Sequence, residues 1–411
     1  MQATVIRHQG FKFELRPSKA QARMLREFAG ACRYVYNRAL SLNQERHRTG
    51  ERKLSYVESA KLLTGWRADT DTPWLAEAPA QVLQQSLRDL EAAYTNFFAK
   101  RAGAPRFKKK GQHYHFRVPQ KFKLEEGNSR IRLPKVGWIR FRKSRQVLGQ
   151  VKHVSVSSRA GRWFVSFLTV REVPKPLPTA TSAVGIDVGV ARFATLSDGT
   201  VYPALNSFAG HHGQLRKAQR AMDRKVKFSR NWKKAKARVS KIHARIANCR
   251  RDFLHKASTA ISNNHAMVFV EDLNVSGMTA SAAGTIDAPG RNVRQKAGMN
   301  RIILDQAWFT FRRFLEYKLE WNGGMLMAVP PRNTSRTCLT CGHVAAESRR
   351  SQAIFQCVQC GFEENADLVG AVNVLRAGEA RLARQASDAV RSPAAGTHRS
   401  ATDGRETVHA P

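Results

Sequence analysis

The chain has 411 residues, enough for roughly two to four domains, and 42% of them are hydrophobic, so most of it should fold around sizeable cores. Lys and Arg number 70 against 31 Asp and Glu; the resulting net charge of +39 excludes an ordinary balanced surface and predicts a polyanionic partner, with a membrane surface as the weaker alternative. No apolar run approaches the roughly 20 residues of a membrane span, and the start lacks the apolar core of a signal peptide. We therefore expect a cytoplasmic protein, not bound to a membrane, whose six cysteines serve metal or core roles.

The first hundred residues combine a strand pattern with helical patterns. Residues 9–16 alternate between apolar and polar side chains, which predicts one strand. Ser18 and Gln21 then have the spacing of a capping box, and apolar residues recur at helical spacing after them. A second helical stripe runs over residues 78–99. We therefore assign residues 1–17 to an N-terminal strand and residues 18–105 to a helical domain.

A basic and aromatic junction follows the helical domain. Its cations, interleaved with aromatic residues, are typical of phosphate contact combined with base stacking, although a solvated edge is the alternative. From Arg130 to Arg171 the hydrophobic period becomes two, which predicts an antiparallel sheet. We expect this sheet to form a small β-barrel over residues 106–173, joined by the N-terminal strand. The candidate nucleic-acid contacts are Arg106, Lys108, Lys109 and Lys110, with Phe107, Tyr114, Phe116 and Phe122 as candidate stacking partners.

The proline-rich residues 174–180 form a linker and the clearest domain boundary. The run Val184–Thr200 after it begins as an apolar strand that ends in Asp187. A charged, unpaired carboxylate on a central strand costs several kcal/mol, so Asp187 must meet a cation, a donor or solvent. Its GIDVG pattern alone is compatible with a turn-capping Asp, an actin-like ATPase or an RNase H-like nuclease.

A long basic helix is predicted over residues 212–256, where sixteen Lys and Arg accompany only two Asp. Such an imbalance repels itself unless an anion binds, which favours nucleic acid. The candidate contacts here are Arg224, Lys225, Lys233 and Lys234.

Strands and helices alternate over the next stretch, as expected for an α/β layer. Residues 266–270 form a short apolar strand that ends in Glu271. Residues 275–298 are rich in Gly, Ala and Ser and predict a mobile loop beside this acid. Apolar residues from Leu304 to Leu319 then stripe one helix, and residues 325–329 form another strand.

Two cysteine pairs have the spacing of a zinc ribbon. Cys338 and Cys341, then Cys357 and Cys360, form two Cys-x2-Cys knuckles separated by 15 residues. Four protein thiolates complete a tetrahedral set, so we expect one structural Zn²⁺.

Three acids follow predicted elements: Asp187 after one strand, Glu271 after another, and Asp367 at a helix start. A helix-starting Asp is ordinarily a cap. Together, three carboxylates at one sheet edge would repel each other unless two Mg²⁺ ions, about 3.5–4 Å apart, lay between them. One ion would activate water and the other would stabilise the leaving oxygen, which is phosphodiester hydrolysis without a covalent enzyme intermediate.

Several stretches occur in a fixed order along the chain: Phe28–Leu40, Pro105–Lys108, Gly185–Gly189, Glu271–Leu273, Asp305–Trp308 with Tyr317, Lys318 and Trp321, and Asn333–Cys338 with the ribbon. In this ordered set the chain resembles the TnpB family of transposon-encoded RNA-guided DNA endonucleases, which is related to type V CRISPR effectors. The resemblance extends up to about Ala377.

The resemblance implies an RNase H-like (RuvC) nuclease core over residues 181–335, an inserted zinc ribbon over 336–362 and a closing helix over 363–378. Asp187, Glu271 and Asp367 would be its Mg²⁺-binding catalytic acids, and the wedge-like barrel and helical recognition domain would hold guide and target. It also implies a guide RNA from the transposon end and double-stranded target DNA read by base pairing beside a short motif. We expect a bacterial or archaeal protein acting on the nucleoid, with a monomer favoured.

One departure keeps an alternative open. The family often has Asp-x-Asn-Ala-Ala-x-Asn after the ribbon, whereas Val369 and Gly370 here replace the first Asn and the first Ala. A nuclease-inactive, RNA-guided DNA-binding repressor is therefore the main alternative. A transposase that joins strands is a further alternative, but this sequence has no Tyr or His nucleophile motif. A plain RNA-binding protein is another, but the three acids would then have no role. Residues 379–411 are expected to be a disordered tail.

Overall fold

The computed structural model describes residues 3–111 and 114–391. The chain divides into two compact units. The first holds the chain up to Lys175 together with Gln214–Arg245, and the second holds Pro176–Gly213 and the chain from Ile246 onwards. In the described ranges, every helix is too short or too polar to span a bilayer.

Four helices near the start of the first unit occupy the predicted helical segment. The first begins at the predicted capping box, because Ser18 Oγ accepts from the backbone N–H of Gln21, and Gln21 Oε1 accepts from that of Ser18. Their apolar faces, which include Leu25, Phe28 and Leu83, are buried in one core. The helices are α1 (Lys19–Arg48), α2 (Tyr56–Ala68), α3 (Trp74–Glu77) and α4 (Ala80–Phe98).

The sheet of the first unit has seven antiparallel strands in the order β2-β6-β7-β1-β5-β4-β3. The strands are β1 (Thr4–Arg16), β2 (Tyr114–Val118), β3 (Lys123–Glu125), β4 (Arg130–Leu133), β5 (Gly137–Arg142), β6 (Gln150–Arg159) and β7 (Arg162–Pro174). Strands β2 and β3 are its two edges, so the predicted closed barrel is not formed among the described residues. Helices α1 and α4 pack against β2, and β3 is only three residues long, so the two edges do not pair.

The second unit contains the predicted α/β layer. Its main sheet has the order β10-β9-β8-β11-β12, in which β8, β11 and β12 run parallel and β9 is antiparallel to both β8 and β10. The sheet strands are β8 (Ala183–Val188), β9 (Arg192–Leu196), β10 (Val201–Pro203), β11 (Met267–Glu271) and β12 (Met325–Val329). The remaining elements of the chain are α5 (Ser207–Asp223), α6 (Arg230–Asn264), α7 (Val275–Met278), α8 (Val293–Gln306), α9 (Trp308–Trp321), β13 (Ile354–Gln356), β14 (Glu363–Asn365) and α10 (Ala366–Arg391). The parts of α5 and α6 within Gln214–Arg245 belong to the first unit.

Two predicted helices are each divided in the structure. The basic helix expected over residues 212–256 is split by a turn at residues 224–229, where Phe228 has a φ of 68°. The helix expected from Leu304 to Leu319 is split at Ala307, which has a φ of 55°. A left-handed residue cannot continue a right-handed helix, so the chain changes direction at both places.

The predicted loop over residues 275–298 is also partly helical. It contains α7 and the beginning of α8. The Nζ of Lys296 donates to the carbonyl of Met278 at 2.6 Å, which links the two helices.

Helix α10 corrects the expected start of the disordered tail. It continues to Arg391, so residues 379–391 are helical. Leu382 packs on a buried cluster that contains Phe269, and Arg381 Nη1 donates to the carbonyl of Ala328 at 2.9 Å. These contacts with β11 and β12 explain the extra turns. The remainder of the expected tail, Ser392–Pro411, lies outside the described residues.

Candidate active site and metal centre

Two of the predicted acids lie at matching positions on neighbouring parallel strands. Ile186 of β8 pairs with Val270 of β11, so Asp187 and Glu271 are the next residue on each strand. Neighbouring strands are about 4.8 Å apart, and parallel strands end at the same edge of a sheet. The residues before each acid are buried on both faces of the sheet, as is usual for parallel strands in an α/β layer.

Helix α10 carries the third acid, Asp367, in its first turn. Asn365 caps this turn, because its Oδ1 accepts from the backbone N–H of Asp367 at 3.2 Å. The helix lies directly on β8 because Gly185 has no side chain. A Cβ at Gly185 would lie 2.2 Å from the carbonyl oxygen of Ala371. This close approach explains the first glycine of the GIDVG pattern.

Asn373 and Thr334 connect α10 to Glu271. The Nδ2 of Asn373 donates to the carbonyl oxygens of Thr334 and Thr337, at 2.8 Å each. The hydroxyl of Thr334 donates to Glu271 Oε1 at 2.6 Å. Asn373 is the final Asn of the family pattern Asp-x-Asn-Ala-Ala-x-Asn. Sequence reasoning assigned no role to it or to Thr334, because the bonds join segments that are far apart in the chain.

The two residues that depart from the family pattern have different surroundings. Val369 is fully buried in a cluster with Cys338 and Phe355, where an apolar side chain fits. Gly370 faces the first acid: a Cβ there would lie 2.9 Å from Asp187 Oδ2. Val369 is therefore a packing residue, whereas Gly370 leaves room for the carboxylate of Asp187.

The three acids interact electrostatically. Burial, followed by the charges of Glu271 and Asp367, raises the pKa of Asp187 to about 7. Burial also raises the pKa of Glu271, although the hydrogen bond from Thr334 opposes this rise. Like charges that are close together and poorly solvated cannot all remain ionised, so the site favours an added cation.

Arg349 is a member of this site that sequence reasoning missed. It lies between the two cysteine pairs, and its Nη2 is 3.9 Å from Asp367 Oδ1. The positive charge of Arg349 lowers the pKa of both Asp187 and Glu271, against the effect of burial. One arginine among 70 Lys and Arg gives no signal in the sequence.

The four predicted cysteines form a compact cluster. Within the described residues, they are the one group of three or more His, Cys, Asp or Glu whose ligand atoms all lie within 4.8 Å of one another. The closest contacts are Cys338 Sγ to Cys360 Sγ and Cys341 Sγ to Cys357 Sγ, both 3.6 Å. A tetrahedron with Zn–S bonds of about 2.3 Å has S–S edges of about 3.8 Å, so the cluster fits a structural zinc site. The three acids do not form so tight a group.

The candidate nucleic-acid residues of the basic junction lie on the loop between α4 and β2. Arg106, Lys109 and Lys110 are exposed there. Asn37 of α1 fixes the loop: its Nδ2 donates to the carbonyl of Lys108 at 3.0 Å, and its Oδ1 accepts from the N–H of Lys108 at 2.8 Å. The Nζ of Lys108 lies 3.8 Å from the ring centroid of Tyr36, and burial lowers the pKa of Lys108. Two of the stretches that carry the family resemblance, Phe28–Leu40 and Pro105–Lys108, are therefore in contact.

The other basic candidates and the stacking candidates are divided between surface and core. Arg224 and Lys225 lie in the turn between α5 and α6, and Lys233 and Lys234 lie on α6; all four are exposed. Of the proposed stacking residues, Phe107 is 48% exposed. Phe116 is 3% exposed, packs edge-on against Phe28 and is a core residue, which corrects its expected role.

Comparisons with known proteins give the family. The family described as OrfB_IS605, a probable transposase, matches residues 166–282, and a Cas12f1-like TNB domain matches residues 308–374. A protein of Escherichia coli (strain K12), named "Putative RNA-guided DNA endonuclease InsQ", is 54% identical over 92% of this chain and 94% of its own length. This chain belongs to the TnpB family. A Streptomyces pristinaespiralis protein named "Putative RNA-guided DNA endonuclease" is 35% identical over 91% of this chain and 90% of its own length.

The fold of this TnpB-family chain also has a solved relative. The cryo-EM structure titled a Cas12f1–sgRNA–target DNA complex matches 90% of the chain and 98% of that protein, with a TM-score of 0.51 and 14% identity. The match shows that the chain shares the overall fold of that protein. A further family model, described as a helix-turn-helix domain, matches residues 4–52. In the structure this range contains one strand, β1, and one continuous helix, α1.

Proposed function

We propose that this chain is an RNA-guided DNA endonuclease that cuts double-stranded DNA beside a short motif by two-metal phosphodiester hydrolysis. It would be encoded by a transposon and use an RNA from the transposon end as its guide. The observation that carries the proposal is the burial of Asp187 beside Glu271 and Asp367: burial, followed by the charges of these two acids, raises the pKa of Asp187 to about 7. The names of two relatives support an RNA-guided DNA nuclease.

The donor set of the acid edge fits divalent cations. Mg²⁺ prefers carboxylate oxygens, and its charge would offset both the burial and the like charges that raise the pKa of Asp187. Asp187, Glu271 and Asp367 would hold two Mg²⁺ ions. When bound, these ions would supply an activated water and stabilisation of the leaving oxygen.

The protein groups around the acids would orient them and the substrate. Thr334 would hold one oxygen of Glu271 in place through its 2.6 Å hydrogen bond. Arg349, 3.9 Å from Asp367, would offset the charge of the acids and present a cation to the phosphate. Gly370 would leave the carboxylate of Asp187 free to take its position. The four cysteines would hold one Zn²⁺ that supports Arg349 and the start of α10.

The charge of the first unit supports the nucleic-acid partners. We propose that residues 18–105 are a helical recognition domain and residues 106–173 a wedge domain that hold guide and target, joined by residues 174–180 to the nuclease core. Arg106, Lys108, Lys109, Lys110, Arg224, Lys225, Lys233 and Lys234 would contact phosphates. Each such contact should make binding fall more steeply as salt rises.

A guided repressor without nuclease activity is the second candidate. Its support is the changed sequence at Val369 and Gly370. The packing of Val369 and the space that Gly370 leaves beside Asp187 favour an active site over an inactivated one.

The test begins with protein co-expressed with its native transposon-end RNA. The bound RNA is sequenced, and the complex is incubated with a plasmid library in which a matched target lies beside randomised flanks, with and without Mg²⁺. Mg²⁺-dependent breaks confined to one class of flank are expected. Tight guided binding without breaks would support the repressor, and breaks that need no guide would reject the guided mechanism.

A further inference from the structure

An apolar cavity of about 550 Å³ opens beside the candidate acids in the second unit. Its lining includes Glu271 itself and Val188, the residue after Asp187. Trp308, Phe309 and Phe311 of α9 supply aromatic walls. Ligand pockets typically have volumes of roughly 300–1,000 Å³, so a planar heterocycle fits this space.

Phe309 is the exposed aromatic residue of this lining. It is 66% exposed, whereas its neighbours Trp308 and Phe311 are 7% and 2% exposed. The chain reaches Phe309 through Ala307, which ends α8 and begins α9 with a φ of 55°. Residues other than glycine are strained in this left-handed region, and such strain is concentrated at functional sites. Phe309, two residues after this link, lines the cavity and lies outside the core.

Most polar side chains of the lining are hydrogen-bonded to partners in the protein, whereas the indole Nε1 of Trp308 is buried without a partner among the described residues. Ser276 Oγ donates to Asn274 Oδ1 at 2.8 Å, and Arg312 Nη1 donates to Asp272 Oδ1 at 2.7 Å. The cavity therefore offers aromatic and aliphatic contact more than directional recognition. Stacking of this kind accepts any base, because every nucleobase has an apolar face.

Charge favours a nucleic acid as the occupant. Helix α8, which contributes Leu304 to the lining, carries Arg294, Lys296 and Arg301 and no acid before Asp305. A helix with this charge attracts a phosphate backbone.

We propose that the cavity receives one unstacked nucleobase of the DNA strand being cut, next to the scissile phosphate, with Phe309 as its stacking partner. The inference rests on the proposed function. If the acids hold the scissile phosphate, the nucleotides on either side of it lie next to Glu271, which also lines the cavity. A base held on Phe309 fixes the strand along the acid edge. Stacking on Phe309 does not discriminate between bases, and cleavage at any guided target requires this tolerance.

The first test measures the single-turnover cleavage rate of the guide-RNA complex at saturating Mg²⁺. Loss of one stacking partner predicts a fall of about tenfold for Phe309→Ala. Phe309→Trp should retain the wild-type rate within about twofold. Met299→Ala is the matched control, because Met299 lies on α8 of the same unit, is 47% exposed and does not line the cavity.

The second test separates stacking from a folding defect. The nucleotides on either side of the mapped cut are replaced by abasic sites, one at a time. At the position whose base enters the cavity, the wild type should slow to the rate of Phe309→Ala, and Phe309→Ala should slow no further. Equal rates for Phe309→Ala and wild type, or effects that multiply, would overturn the inference.

A readout without cleavage distinguishes failure of the inference from failure of the proposed function. DNA carrying 2-aminopurine near the target is bound with Ca²⁺ in place of Mg²⁺. Fluorescence that is quenched by the wild type and recovers in Phe309→Ala supports the cavity, even if no breaks ever form. Quenching that does not depend on Phe309 overturns it, and displacement of bound DNA by an apolar peptide would identify a different occupant.

Discussion

The four-cysteine cluster and the acid edge are both groups of potential metal ligands, and they differ in completeness. The cysteines bring four sulfur atoms together with contacts of 3.6 Å and leave no position open. The acids are spread more widely, and burial with like charge raises the pKa of Asp187 to about 7. A closed ligand set stabilises a fold, whereas an open and self-repelling set is completed by a cation and a substrate.

The two regions are also connected through the start of α10. Ala366 and Val369 of α10 are buried with Cys338, Phe355 and Cys357, and Asp367 lies between them in sequence. The cysteine cluster therefore supports the position of one acid, whereas the ligand set of the cluster consists of the four cysteines and includes no acid. Damage to the cluster should reach the acids, but damage to the acids should leave the cluster intact.

The largest expected effect is on cleavage by Asp187→Ala. Loss of this carboxylate removes a ligand from the open set, so the cleavage rate should fall on the order of a thousandfold or more. Guide-RNA binding and zinc content should stay at wild-type levels. Asp198→Ala, on the β9–β10 hairpin, is the matched control and should cut normally. Equal loss of cleavage and RNA binding in Asp187→Ala would show that Asp187 is structural.

The next effect is on stability, from Cys338→Ser. A closed set with three thiolates should bind zinc weakly, so zinc content, melting temperature and cleavage should fall together, with a stability loss of several kcal/mol. Metal analysis and thermal unfolding measure the first two. Cys249→Ser is the control, since Cys249 is exposed and lies outside the cluster. A Cys338→Ser protein that kept one zinc per chain would contradict the four-cysteine assignment.

Sequence reasoning identified the residues of both regions but missed what surrounds them. Strand periodicity placed Asp187 and Glu271 at strand ends, and the structure has them there. The break at Ala307 was missed because a left-handed alanine has no sequence signature. Arg349 and the packing of Leu382 were missed because their partners are distant in the chain. Local pattern thus predicts elements and ligand sets, while long-range packing decides their surroundings and whether a sheet closes.

A smaller effect concerns the pH dependence of the acid edge without metal. The raised pKa means that folded Asp187 holds its proton up to about pH 7, whereas the unfolded chain releases it near the ordinary aspartate pKa of 3.8. Stability should therefore fall as the pH rises from about 4 to about 7, by roughly 2–4 kcal/mol. Denaturation in EDTA should show this slope in the wild type and a shallower one in Asp187→Asn. Mg²⁺ should restore the stability of the wild type alone at pH 8, and parallel slopes for the two proteins would contradict the assignment.

The smallest effect tests how closely α10 controls Asp187. A Cβ at Gly370 would lie 2.9 Å from Asp187 Oδ2, so Gly370→Ala should displace the carboxylate and lower the cleavage rate about tenfold. Thermal stability should change little, because alanine favours the helix by up to about 1 kcal/mol and offsets the contact. Gly298→Ala is the matched control, since a Cβ on that helical glycine meets nothing within 4 Å. An unchanged or faster rate in Gly370→Ala would show that Asp187 moves aside freely. The departure from the family pattern would then be a packing variation with no influence on the open ligand set.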